Sequence, residues 1–347
     1  MIHAKHSSIF DKNALLQLSE FCFPSYMEWK TSSSQSLDRR NLGIVSIIGA
    51  VFLLSFSDAL VKNAGDHLGL GQIVFLRSAF AALVIAGSAL AFSGLGRLHS
   101  IPPFWVWARS LCLTVMWLCY YAALPSMSFA LVAACYYTSP MWMALLSRLL
   151  LGEPVGGLRW LAIFLALTGV VLAVNPGIGT ISPVIALPLA SAFLYALAAV
   201  ITWSRCQDEA PLTMALNLNV TLAVTGAVSI AALAAFGPGD DKSFVLSVWP
   251  TLMLEDWLLV GILGVLLAII ATAVAQAYRL APSPIVGVFD NAYLLFAAMW
   301  GVLFFDEVPA MREAAGMALI ASGAIMMTSR DHSTSDDRRS GFISSGR

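Results

Sequence analysis

The run MSFALVAACYYTSPMWMALLSRLLL, residues 127–151, decides the fold. Its 25 residues carry one charge, Arg148 near the end, and they exceed the roughly 20 residues a helix needs to cross about 30 Å of hydrocarbon. A strand of a membrane barrel would alternate apolar and polar side chains, and this run does not. Working outward in both directions, nine more runs of the same kind lie between polar or Gly/Pro breaks. All ten are 42–64, 71–93, 103–124, 127–151, 158–175, 183–204, 212–236, 256–279, 284–305 and 310–329. The breaks are short except for the hydrophilic loop 237–255.

Composition agrees. Of 347 residues, 59% are hydrophobic and 11% charged, whereas a soluble domain carries about 45–50% and about 25%. Residues 1–41 and 329–347 hold 16 of the 39 charges, so the segment between them has too little polar surface to cover itself in water. A net charge of −1 with no basic stripe argues against a nucleic-acid partner. The five cysteines (Cys22, Cys112, Cys119, Cys135, Cys206) show no CxxC spacing, which points away from a disulfide framework or zinc site. All five histidines fall in tails or polar breaks. The chain contains no GxxxxGK[ST], HExxH or GxSxG, the signatures of P-loop ATP hydrolysis and of membrane hydrolases. The expectation is a protein that is not an enzyme and uses no cofactor or metal.

Basic residues set the orientation. With ten helices and a cytoplasmic N-terminus, 14 of the 19 Lys and Arg fall inside, only Lys242 and Arg312 fall outside, and Lys62, Arg77 and Arg109 lie within helices. Both termini are therefore expected in the cytoplasm. Sliding the sequence by 154 residues sets Glu153 on Glu307, Gly169 on Gly323, Leu149 on Leu303 and Ala123 on Ala277. Five helices is an odd number, so the second half would enter from the opposite side, giving inverted repeats. The expected organisation is a cytoplasmic tail 1–41, a five-helix repeat 42–176, a second repeat 183–329 and a cytoplasmic tail 330–347. The N-terminus shows no cleavable signal-peptide pattern. Met27, 15 residues before the first run, is the expected native start.

Several residues look familiar together. The stretch from Ala130 to Gly169, with Pro140, LLLGEP (149–154) and Trp160, resembles the repeat of the EamA family. FDNAYLLFAAMWGVLFFDEVP (289–309), followed by Gly316 and Gly323, resembles that family's second repeat. EamA proteins belong to the drug/metabolite transporter superfamily, and over residues 42–329 the resemblance implies ten helices in two inverted five-helix repeats. Lys62, the FLR of 75–77 and Arg109 with Ser110 look most like the branch containing bacterial S-adenosylmethionine uptake proteins. Asn291 departs from that branch, which often has an aromatic residue there.

Ionisable groups in a bilayer are costly unless they face a partner or a wet cavity, which makes Asp58, Lys62, Arg77, Arg109 and Asp290 the first candidates. Counting about 1.5 Å per residue places Asp58 and Arg77 at one common depth near one end, and Arg109 and Asp290 at another near the opposite end. Asp58 and Lys62 share a helix face at i, i+4. Two polar layers suit a carrier that opens to one side at a time; they would equally serve to hold helices together. Three basic groups against two acidic ones lean towards an anionic substrate. Asn217, Gln276 and Asn291 are uncharged candidates, with Asn217 the inverted counterpart of Arg77. Tyr136, with Trp117, Tyr120, Tyr121 and Tyr137, would either line a cavity or anchor helix ends at the interface. Pro140 removes a backbone hydrogen bond and is a candidate hinge. Glu153 and Glu307 read as helix-terminal structural residues, and Gly169, Gly316 and Gly323 as close-packing positions.

The sequence thus predicts an all-α, multi-pass secondary transporter of a small organic metabolite in a bacterial-type inner membrane. Its partners are that solute and the lipid bilayer, and a homodimer is left open. Uptake of S-adenosylmethionine is the narrower alternative. A membrane assembly protein or lipid-modifying enzyme with no transport cycle is the alternative of another class.

Overall fold

The computed structural model describes residues 33–65, 67–92, 103–152, 156–174, 182–206, 209, 211–237, 243–281 and 283–328. The expectations for Met27, for Glu153 and for the C-terminal tail lie outside these residues. The described residues form helices and no strand. In chain order the helices are α1 (Ser33–Ala64), α2 (Leu70–Phe92), α3 (Phe104–Ala123), α4 (Phe129–Tyr136), α5 (Ser139–Leu151), α6 (Gly157–Val174), α7 (Ala186–Arg205), α8 (Pro211–Phe236), α9 (Leu254–Leu280), α10 (Ser283–Asp290), α11 (Ala292–Phe305) and α12 (Met311–Thr328). A single 3-10 turn, Pro183–Ile185, leads into α7.

Every apolar run of the sequence is helical, but two of the ten are broken. The run 127–151 is split into α4 and α5, and the run 284–305 into α10 and α11. The first break has a covalent cause. Pro140 has no N–H and occupies the second position of α5, where that N–H would have lacked a helical partner in any case. The second break falls at Asn291 (φ −63°, ψ −13°) and has no proline at the matching position, which is Leu294. Seven segments are long and apolar enough to span a membrane by themselves: 40–64, 70–87, 104–123, 129–151, 183–202, 213–236 and 288–305, with Trp160–Val174 a shorter apolar helix. The helices α9 and α12 fall outside that set; Arg312 and Glu313 in the first turn of α12 shorten its apolar stretch.

The 154-residue shift found in the sequence also holds for element bounds. It carries α4 onto α10 (283–290) and α6 onto α12 (311–328). It also carries the left-handed C-cap Gly152 (φ 70°) onto the left-handed C-cap Asp306 (φ 53°). Aspartate is one of the few residues besides glycine that enters this region at modest cost.

The contacts repeat the pattern. The principal helix pairs are α6 with α12, α2 with α8, α3 with α7 and α1 with α9; α4 and α5 lie on α7, while α10 and α11 lie on α1. Exchanging the two halves turns the α1–α9 pair into the α3–α7 pair and maps α2–α8 and α6–α12 onto themselves. At the α6–α12 crossing, a methyl group added at Gly169 would sit 2.6 Å from the Gly316 carbonyl oxygen, and one added at Gly316 would sit 2.6 Å from the Gly169 oxygen. Only glycine lets these backbones approach so closely, as the close-packing expectation required. The largest buried cluster joins α1 to α3, α4 and α11 through Tyr120, Tyr121, Phe129 and Tyr293.

Candidate functional site

Four helices from both halves place polar side chains against one another in this interior. Helix α1 carries Asp58, 2% exposed, and Lys62 one turn later. Asp58 accepts two tyrosine hydroxyls: Tyr121 from α3 at 3.1 Å and Tyr293 from α11 at 2.7 Å. The Tyr293 hydroxyl also lies 2.8 Å from that of Tyr120. Arg77 of α2, 5% exposed, donates from Nη1 to the Tyr121 hydroxyl at 2.6 Å, and its guanidinium lies 5.1 Å from the Tyr121 ring centroid and 5.6 Å from that of Trp117. The expected meeting of Asp58 with Arg77 therefore runs through one shared phenol rather than a direct ion pair.

Lys62 does not turn to Asp58, although the two share a face. Its ammonium donates to Glu307 Oε1 at 2.5 Å and to the Met127 carbonyl at 2.9 Å, and it lies 4.7 Å from the Phe305 ring centroid. The other oxygen of Glu307 accepts the Phe129 N–H at 2.7 Å, which answers one of the free donors at the start of α4. Glu307 is thus a helix-terminal residue, as expected, and also the counterion of Lys62. It ties the end of α1 and the start of α4 to the end of α11.

Arg109 and Asp290 do not pair. Arg109 donates from Nε to Thr202 of α7 at 2.8 Å, and its Nη1 is buried without a hydrogen-bond partner. Asp290, at the last turn of α10, is approached by the Tyr137 hydroxyl, 3.2 Å from its carbonyl and 3.4 Å from Oδ2. The Tyr137 and Tyr293 rings stack with centroids 5.5 Å apart, so the side chains flanking the two helix breaks touch.

Trp117, Tyr120, Tyr121, Tyr136 and Tyr137 form one connected group with Tyr195 and Tyr293 rather than a belt at the helix ends. Tyr136 is half-buried, with ring contacts to Tyr120 at 5.6 Å, Tyr137 at 5.6 Å and Tyr195 at 5.4 Å. Asn217 is buried in α8 with its Oδ1 unpartnered, and Asn291 is buried at the second break. Gln276 is exposed on α9 and does not belong to the cluster. Pro140 stands at the first break, packed near Tyr137, Met141, Ala162, Gly323 and Ala324.

Sequence reasoning missed Tyr293, Thr202 and the ionic role of Glu307. Tyr293 lies two residues past Asn291, so a depth count through the run 284–305 would have found it. Thr202 gives no comparable signal, because a lone hydroxyl in a helix commonly bonds its own backbone, as Thr202 also does to the Ala198 carbonyl at 2.7 Å.

Long apolar helices packed around charged and phenolic groups define an integral, multi-pass membrane protein. Residues 41–175 match the EamA-like transporter family. A riboflavin transporter of Rhizobium johnstonii is 34% identical over 55% of this chain, a match that spans 58% of that protein's length. The pseudopaline exporter of Pseudomonas aeruginosa is 27% identical over 84% of this chain and 98% of its own. A riboflavin transporter of Vibrio cholerae is 28% identical over 55% of this chain and 59% of its own. A solved crystal structure superposes with a TM-score of 0.57 at 21% identity, covering 84% of this chain and 99% of that one, a likeness of fold alone. These relatives are named as small-molecule transporters, and their names give no support to the S-adenosylmethionine branch.

Proposed function

We propose that the chain is a secondary transporter that moves a small organic metabolite across a bacterial inner membrane by alternating access. In this reading the twelve helices make ten crossings in two inverted five-helix repeats, with both termini cytoplasmic. The 154-residue coincidence of element bounds supports the repeat, as does the survival of the helix pairings when the halves are exchanged. One observation carries the functional reading. The two helix breaks at 137–138 and 291 stand at matching positions, and side chains beside them meet through Tyr137, Tyr293 and Asp290. Discontinuous membrane helices free backbone groups and allow half-helices to tilt, which is where carriers bind and switch. Asp58, Lys62, Arg77, Arg109, Tyr136, Asn217, Asp290 and Asn291 remain binding or gating residues under this proposal, with Pro140 as hinge; Gln276 has the weakest claim because it is exposed.

The purified full-length protein in liposomes tests it. Counterflow of a solute from a panel containing riboflavin, S-adenosylmethionine and mono- and dicarboxylates is the expected result. Arg109→Ala should abolish that counterflow while membrane abundance stays unchanged, and a normal rate in this variant would remove Arg109 from the carrier. Absence of counterflow across the panel would favour an assembly protein or lipid-modifying enzyme.

A further inference from the structure

Of the three candidate cations in the described helices, Lys62, Arg77 and Arg109, only the last has no carboxylate close by among the described residues. Lys62 has Glu307, and Arg77, whose Nε is also buried without a partner, donates to the Tyr121 hydroxyl that in turn donates to Asp58. Arg109 has a single neutral partner, the Thr202 oxygen at 2.8 Å. That hydroxyl is already committed to the Ala198 carbonyl, and the Nη1 of Arg109 is buried with no acceptor. Among the described residues no carboxylate lies within ion-pair distance of it. A second cation, Arg205, stands at the same end of the α3–α7 pair with its guanidinium 5.2 Å from the Trp105 ring.

A guanidinium inside a membrane helix is expensive until an anion or a set of acceptors meets it. Its planar fork fits a carboxylate or phosphate through two parallel hydrogen bonds, and an Arg with a free, desolvated terminal nitrogen is set for that geometry. We infer that Arg109 receives the anionic group, a carboxylate or phosphate, of the molecule this protein moves. The inference rests on the carrier reading and names the substrate class: a solute bearing an acidic group, held by Nη1 while Thr202 fixes Nε. The same chemistry is offered by an anionic lipid headgroup, so the test separates the two sources.

The full-length protein is placed in nanodiscs of neutral phosphatidylcholine and treated with phenylglyoxal, and labelling is read at each arginine by mass spectrometry. Benzoate and inorganic phosphate are the probes, with sodium chloride at matched ionic strength as control. Labelling of Arg109 should slow severalfold with either probe and be unchanged by chloride, while Arg148 reacts at one rate throughout. Equal Arg109 rates in all three salts would overturn the inference. Protection that requires phosphatidylglycerol in the disc, with none from the soluble probes, would make this a lipid site and overturn the substrate assignment. Melting temperature supplies a second readout: the probes should raise that of the wild type and leave Arg109→Gln unmoved, and equal shifts in both would overturn the inference. Protection without counterflow removes the carrier reading alone; counterflow without protection removes this inference alone.

Discussion

The end of the bundle that holds Lys62 and the end that holds Arg109 treat a half-buried cation in opposite ways. Lys62 is neutralised inside the protein: a carboxylate, a carbonyl and an aromatic face surround it, and the carboxylate also caps α4. Arg109 has one threonine oxygen and an idle nitrogen. The partners of Lys62 come from α11 in the second half and from the loop before α4, so its pair closes a seam between halves. The contact of Arg109 to α7 also crosses the halves but uses one of its five N–H donors. A closed, satisfied contact at one end and an unsatisfied cation at the other are what a carrier needs if a solute completes the second.

Removing one partner of the satisfied pair should give the largest effect. Lys62→Met leaves Glu307 partly buried without its counterion, and breaking a buried pair costs about 3–5 kcal/mol. The Lys62→Met/Glu307→Leu double variant removes both charges and should recover most of that loss, because apolar replacement of a buried pair is often near neutral. Thermal unfolding of single and double variants in detergent checks this; additive losses would show that the ends do not differ as described. Gly316→Leu is a control at neither end. Its side chain meets the Gly169 oxygen and Ala173, so overpacking of the α6–α12 crossing should cost about 1–3 kcal/mol with no dependence on either cation.

Arg109→Gln should run the other way in stability. Deleting an unanswered charge removes its desolvation cost, and a gain of about 1 kcal/mol is expected where loss of a paired ion would destabilise. A loss of stability as large as that of Lys62→Met would mean that Arg109 is structural after all.

Much of this contrast was legible in the sequence, and the missing part has a physical reason. Runs of 20 apolar residues and the 154-residue shift are properties of a chain read one segment at a time, and the helix bounds follow them. Depth counting put Asp58 and Arg77 in one layer because helical rise is constant, and one phenol joins the two side chains. It could not tell that Tyr121 stands between them, because rotation about the helix axis decides which neighbour a side chain meets. Asp58 and Lys62 share a face, yet Lys62 is drawn to Glu307, 245 residues away in sequence, by a charge on the other half. Pro140 announced the first helix break, whereas the second, at Asn291, had no proline to mark it.

The smallest effect tests whether the seam between halves is a working joint or only packing. Tyr121→Phe strips Arg77 of its hydroxyl partner and Asp58 of one donor, two hydrogen bonds between helices of one half, and should cost about 1 kcal/mol. Tyr293→Phe removes the donor that reaches Asp58 across the halves, while Asp58 keeps Tyr121. Hydrogen bonds between membrane helices average about 0.6 kcal/mol, so its loss should barely move the unfolding temperature. Under the proposed alternating access this cross-half contact would break and re-form in each cycle, whereas the Tyr121 bonds would travel with their own half. Counterflow should therefore fall more in Tyr293→Phe than its stability does, and the reverse ratio should hold for Tyr121→Phe. If the two variants lose stability and transport in the same proportion, the Asp58 cluster is cement rather than a joint, and the satisfied end of the bundle carries no motion.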